Sequence, residues 1–198
     1  MTSTVVTFGE TMALFANRFA GRIAQSGDLT IGIGGAESNF VIGLARLGTS
    51  VTWVGRVGND SLGEQVLREL RAEGVTVQGV VDDAAPTGIM IKERRTEAST
   101  NVMYYRMESA GSRLRPRDVS EETIRNAIVL HITGITMALS SSARNTIDYA
   151  VRVAKEAGVT VSFDLNFRSK LWTRAEARSA FRTLLSRGLS RIGTVSHV

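Results

Sequence analysis

Cysteine is absent from the 198 residues, which excludes a disulfide framework and a thiolate zinc site. A reducing compartment follows, so the expected location is cytoplasmic. Histidine is scarce: His131 and His197 stand far apart in sequence, and no metal site is expected from them. No apolar run approaches the roughly 20 residues that a membrane-spanning helix needs, so no membrane partner is expected. The start, Met1-Thr2-Ser3-Thr4-Val5-Val6, has no basic segment and no long apolar one, so no signal peptide is expected. Asn59-Asp60-Ser61 spells a glycosylation triplet, idle without a secretory route. Only Pro86 and Pro116 punctuate the chain, both near element edges. Internal repeats and low-complexity linkers are missing.

What is present is an ordinary globular mixture, 43% apolar and 22% charged, in a chain long enough for one well-packed domain. The net charge of +5 invites a nucleic-acid reading. Its distribution argues against one. Residues 168–198 hold seven bases (Arg168, Lys170, Arg174, Arg178, Arg182, Arg187, Arg191) against one acid, Glu176, a net of +6, so the first 167 residues sum to −1. Most of these bases space along one helix-like stretch and read as a solvated helix face, so no nucleic-acid partner is expected.

Strand and helix signals alternate. Val5–Gly9 reads as a short buried strand, and Gly34–Leu47 as a glycine-led helix with Phe40, Val41, Leu44 and Leu47 on one face and Gly48 past its end. Ser50–Val57 is a strand. Ser61-Leu62-Gly63-Glu64 matches a capping box opening a helix that turns Leu62, Val66, Leu67 and Leu70 inward and stops at Gly74. Val75–Val81 and Ile128–Thr133 are strands, Ser141–Ala157 is a helix followed by Gly158, and Val159–Phe163 is a strand. This order predicts an α/β fold, a parallel sheet covered by helices. Two regions break the rhythm. Residues 15–33 show no clean helix, and residues 87–106 read as two short strands around a polar turn. Together they would form a small extra sheet, either a flap over a ligand or surface hairpins.

Three segments carry candidate chemistry. Gly32-Ile33-Gly34-Gly35-Ala36-Glu37-Ser38-Asn39 is neither a dinucleotide fingerprint, because Glu37 stands at the third glycine position, nor a P-loop. Gly34 and Gly35 at a helix start let a ligand approach the backbone, and Asn39 one turn on adds an amide. A tight strand-to-helix turn explains the pair equally. In Tyr104-Tyr105-Arg106, alternation puts Tyr104 and Arg106 on one face and Tyr105 on the other. That suits a hydroxylated anion or an ordinary cross-strand pair. Asp164, Asn166 and Arg168 alternate beyond a buried strand, where open parallel sheets bind ligands; a polar loop capping the next helix is the plainer account. Glu10 sits just past the first strand, as a substrate-contacting acid or a loop residue. His131, within an apolar strand, reads as a core histidine.

Taken together, Gly34 to Asn39 with Gly43-Leu44-Ala45-Arg46-Leu47-Gly48, then Gly55-Arg56-Val57-Gly58-Asn59-Asp60-Ser61-Leu62-Gly63, resembles the N-terminal signature of the PfkB, or ribokinase-like, carbohydrate kinases. Asn59 replaces an acid usual in the second block. Within that family, the Gly-Gly-Ala-Glu helix start, Tyr104-Tyr105-Arg106 with Ser109-Ala110-Gly111-Ser112, and Asp164 to Trp172 resemble the 2-keto-3-deoxygluconate kinases. The resemblance runs from Val5 to about Leu185.

It implies a ribokinase-like three-layer fold with a parallel-rich central sheet and a β-sheet lid at about residues 15–33 and 87–106, inserted in an incomplete domain of residues 1–187. It further implies ATP and Mg2+ as cofactors, a small sugar acid as substrate, and a homo-oligomer formed through the lid. Gly34, Gly35, Asn39, Tyr104, Tyr105, Arg106, Arg168 and Glu10 would meet the sugar acid, and Asn166, Phe167 and Arg168 the nucleotide phosphates. Ile89-Met90-Ile91 stands where the family's lid often carries an aromatic. No catalytic residue is expected among these 198: the Gly-Ala-Gly-Asp anion hole with its general-base aspartate, and the Asn-x-x-Glu magnesium motif, lie later in the family. Residues 188–198 are unlike the family, as a premature stop would leave them, with the C-terminal third missing. The alternatives are another sugar kinase of the family, for a ketohexose or ribose-like substrate, and a non-catalytic sugar-acid-binding fragment.

Overall fold

Short apolar runs buried on both faces make parallel strands, and β1 (Val5–Phe8) is buried at every position. The computed structural model describes residues 5–25, 28–186 and 191–193. It sets β1 between β4 (Val51–Gly58) and β8 (Val129–Thr133), with β5 (Thr76–Asp82) outside β4, and β9 (Thr160–Asp164) then β10 (Arg191–Gly193) outside β8. All pairings in this sheet among the described residues are parallel. One face packs on α1 (Ala36–Arg46) and α2 (Ser61–Ala72), where Val41, Val66 and Leu70 meet Val5, Trp53 and Val57. The other carries α3 (Glu121–Arg125), α4 (Gly134–Leu139), α5 (Ser141–Glu156) and α6 (Arg174–Leu185), whose Ile124, Ile147, Val151 and Leu184 join one core with Val6, Phe8, Ile132 and Phe163. The three-layer α/β architecture is therefore as expected.

The irregular regions form a second sheet, ordered β3 (Leu29–Gly34), β2 (Met12–Asn17), β6 (Ile89–Thr96), β7 (Ser99–Tyr105). β2 runs antiparallel to β3 and parallel to β6, and β6 is antiparallel to β7. Its first strand starts at Met12, ahead of the expected 15, because the chain leaves β1 and enters this sheet across only Gly9-Glu10-Thr11.

Local signals mostly act as expected. Gly48, Gly74 and Gly158 adopt φ of 81°, 79° and 71° after α1, α2 and α5, the left-handed turn that ends a helix and favours glycine. Two details differ. The N-cap of α2 is Asp60, not Ser61: its carboxylate accepts from Gly63 N at 2.7 Å and from Thr87 N at 2.8 Å. One cap thus also ties α2 to the base of the second hairpin. Leu47 is 81% exposed rather than inward, because α1 ends at Arg46 and the turn swings it out. Arg174, Arg178 and Arg182 on α6 are exposed, as a solvated face requires. No helix among the described residues is long and apolar enough to cross a membrane. Of the tail, residues 191–193 pair with β9, while 188–190 and 194–198, with His197, lie outside the described residues.

Candidate functional site

In the strand order of the parallel sheet, successive strands move one way from β1 to β4 and β5, and the other way from β8 to β9 and β10. Ligands of open α/β sheets bind beyond the carboxyl ends of strands at such a reversal. There the second sheet faces the parallel one, and between them lies a cleft of about 1610 Å³. Its wall is assembled from the end of β1 (Glu10), the start of α1 (Gly35, Asn39), β7 with its following turn (Tyr104, Arg106) and the loop after β9 (Phe167, Arg168).

Close approach explains Gly35: a Cβ there would lie 2.5 Å from the Glu10 carbonyl oxygen. The start of α1 can therefore sit against the β1 exit only without a side chain. Glu10 is buried, and its carboxylate is already engaged. Arg106 Nε donates to Oε2 at 2.6 Å, Arg106 Nη2 adds a second contact, and the Ser109 hydroxyl donates to Oε1. Gly88 and Gly111 leave the slot for it, since a Cβ on either would stand 2.5 Å from Glu10 Oε1 or 2.3 Å from Glu10 Cγ. Both residues line the cleft, but as a pair: Glu10 is an internal anchor, and Arg106 grips it.

Three other expected site residues do not reach the cleft wall. The Gly34 position is covered by Met90, whose Cε would be 2.6 Å from a Cβ there. Tyr105 points to the opposite face of the sheet, 62% exposed, as strand alternation demands. Asn166 is buried in the turn after β9 at φ 36°. Its Nδ2 donates to Asp164 Oδ2 at 2.9 Å and its backbone N to Asp164 Oδ1 at 3.0 Å, while its own Oδ1 has no hydrogen-bond partner.

Several participants lay within the quoted motifs or strands without being singled out as site residues. Lys170 lines the cleft, donates from Nζ to the Val102 carbonyl of β7 at 2.9 Å, and lies 5.7 Å from the Tyr104 ring centre. Its place two residues after Arg168 on the same loop was the available clue. Behind the wall, Glu37 Oε1 accepts from the hydroxyls of Thr133 and Thr136, each at 2.6 Å, and Oε2 has no hydrogen-bond partner. Burial pushes its carboxyl above the usual range against these donors. It joins the first turn of α1 to the end of β8 and to α4. Arg56 on β4 donates to both oxygens of Asp118 and to Asp82, all at 2.9 Å. His131 is a core histidine: it stacks on Phe40 with ring centres 3.8 Å apart, its Nδ1 is 3.1 Å from Ser162 Oγ, and burial pushes its pKa down to about 4. Among the described residues no three His, Cys, Asp or Glu side chains gather as a metal site.

The pattern of the pfkB family carbohydrate kinases matches residues 2–188. A 2-dehydro-3-deoxygluconokinase of Bacillus subtilis is 42% identical over 170 residues, 84% of this chain and 52% of that protein. A 2-dehydro-3-deoxygalactonokinase of Haloferax volcanii is 38% identical over 185 residues, 93% of this chain and 58% of that protein. The crystal structure of a 2-dehydro-3-deoxygluconokinase from Thermotoga maritima superposes with a TM-score of 0.91 at 31% identity, covering 97% of this chain and 59% of that one. The chain thus spans a little over half the length of these relatives.

Proposed function

We propose, because the chain belongs to the pfkB family of carbohydrate kinases, that it supplies the sugar-recognising surface of a kinase that transfers the ATP γ-phosphate to a hydroxyl of 2-keto-3-deoxygluconate, the same compound as 2-dehydro-3-deoxygluconate. The observation that carries this reading is Arg168. It faces the cleft at the carboxyl end of β9, and no carboxylate pairs with it among the described residues. A guanidinium there suits an anionic ligand, either a sugar carboxylate or a transferring phosphoryl group. Asn39 and the first amides of α1 offer hydrogen bonds to hydroxyls, and Tyr104 an aromatic surface for the carbon chain.

For the phosphates of ATP the turn after β9 offers the charge of Arg168, while buried Asn166 spends its donors on Asp164 and shapes that turn from behind. Bound ATP would supply the phosphoryl group. No described cluster fits Mg2+, and no step is assigned to it. Nor is a general base placed here, since Glu10 is ion-paired and Glu37 is buried below the cleft. For association, strand register puts Phe15, Ile31, Ile91, Ile89 and Tyr105 on the outward face of the second sheet. Ile31 and Tyr105 are exposed there, and a second copy is the partner we assign to that face.

Calorimetric titration of the 198-residue chain tests the reading. 2-Keto-3-deoxygluconate should bind more tightly than fructose, and Arg168→Ala should abolish most of that preference. Equal or tighter fructose binding would replace it with a ketohexose kinase. Sugar-dependent ADP formation by the same chain should be undetectable; its appearance would reveal a base within these residues.

A further inference from the structure

We infer that Lys170 is a specificity-determining residue which, with Arg168, receives the carboxylate of the sugar acid; the inference rests on the sugar-acid reading above. It follows from asking which cationic side chains lining the cleft are already neutralised. Four line it, Arg106, Arg113, Arg168 and Lys170, against two acids, Glu10 and Glu108.

Arg106 is held by Glu10 in a pair whose side chains are 10% and 1% exposed. Drawing Arg106 toward a ligand would strand a buried carboxylate, a penalty few ligand contacts offset. Arg113 lies 3.3 Å from Asp82 and donates to the Ala84 carbonyl at 3.0 Å. Glu108 is exposed in the turn after β7 and forms no ion pair with Arg168 or Lys170.

Arg168 and Lys170 are left. Arg168 donates only weakly, to the Phe167 carbonyl at 3.4 Å. Lys170 meets a neutral carbonyl, that of Val102, and the face of Tyr104. Neither contact cancels its charge, and an ammonium has three N–H groups of which that carbonyl takes one. The two cations flank Ser169 on one loop, and Lys170 reaches across to β7. A carboxylate between them would lie beside Tyr104, the surface proposed for the carbon chain. A neutral sugar gains nothing from Lys170, so the residue acts on selectivity rather than on affinity in general.

A plainer role is that of a strap holding β7 to the loop, and the two roles predict different results. The test is titration of the wild-type chain, Lys170→Met and Lys170→Arg with 2-keto-3-deoxygluconate and with its methyl ester, which keeps the carbon skeleton and loses the charge. Lys170→Met should weaken the acid about tenfold while moving the ester less than about twofold, and Lys170→Arg should restore most of the loss. Raising NaCl should erode the wild-type preference for acid over ester more than that of Lys170→Met. Equal weakening of both ligands would make Lys170 a strap, and an unchanged acid affinity would remove it from the site; either overturns the inference while leaving the sugar-acid reading standing. A wild-type chain that binds the ester as tightly as the acid, or binds neither, would overturn both.

Discussion

The parallel sheet hides both faces under helices, whereas the second sheet turns one face to the cleft and the other outward. Along β4 every residue is buried; along β7 none is. This difference divides the labour between them. A strand packed on both sides is specified by volume and apolarity, and little else is tolerated. A strand with a wetted face is free to carry Tyr104, and its partner elements Arg106 and Lys170, without unfolding anything.

The comparison can be broken most directly in the parallel sheet. Phe163 is fully buried and packs edge-on to Phe181 with ring centres 5.5 Å apart. Phe163→Ala should cost about 3–5 kcal/mol in denaturant unfolding. Arg56→Met should cost about 3 kcal/mol, by leaving Asp118 without its cation and Asp82 with only the more distant Arg113. A loss below about 1 kcal/mol for either would show the body less tightly specified than its burial suggests.

A pH series sharpens the same contrast. His131, at about 4 in the fold against an ordinary 6.5, contributes stability that is present above pH 6.5 and lost as pH falls toward 4. The loss amounts to about 3 kcal/mol, and His131→Asn should flatten that part of the profile. Glu37 has the opposite sign. Its raised pKa favours the protonated form in the fold, so its contribution is present below the ordinary carboxyl range and declines as pH rises. Glu37→Gln should flatten the decline that sets in as pH rises above the ordinary carboxyl value of 4.5. The smallest effect on folding is expected in the second sheet: Ile31→Glu, on its outward face, should change monomer stability by less than about 0.5 kcal/mol. It should nonetheless shift light-scattering mass toward the monomer. A mass independent of that substitution would remove the outward face as an interface.

The legible parts of the sequence are those whose cause is local. Gly48, Gly74 and Gly158 end helices because a left-handed residue is needed within one turn of the preceding residues, and the alternation of Tyr104 and Tyr105 follows from the pleat alone. Asp60 was harder to read, since Ser61 also fits a cap. Only the hairpin base at Thr87, which donates to the same carboxylate, settles the choice. The start of β2 at Met12, ahead of residue 15, was not legible because β2 is fixed in part by pairing with β6, which lies far along the chain.

The site divides along the same line. The sequence by itself determined the family, the α/β layering and the segments that approach the cleft, because periodicity, glycine positions and motif order are properties of neighbours along the chain. Only the tertiary structure decided which charges in those segments are spent. Glu10 and Arg106 are 96 positions apart, and their meeting makes a buried ion pair at the cleft wall. The cations left facing the cleft are Arg168 and Lys170. Whether a charge is paired depends on what lies opposite it in space, and in this fold the opposite residue comes from another sheet.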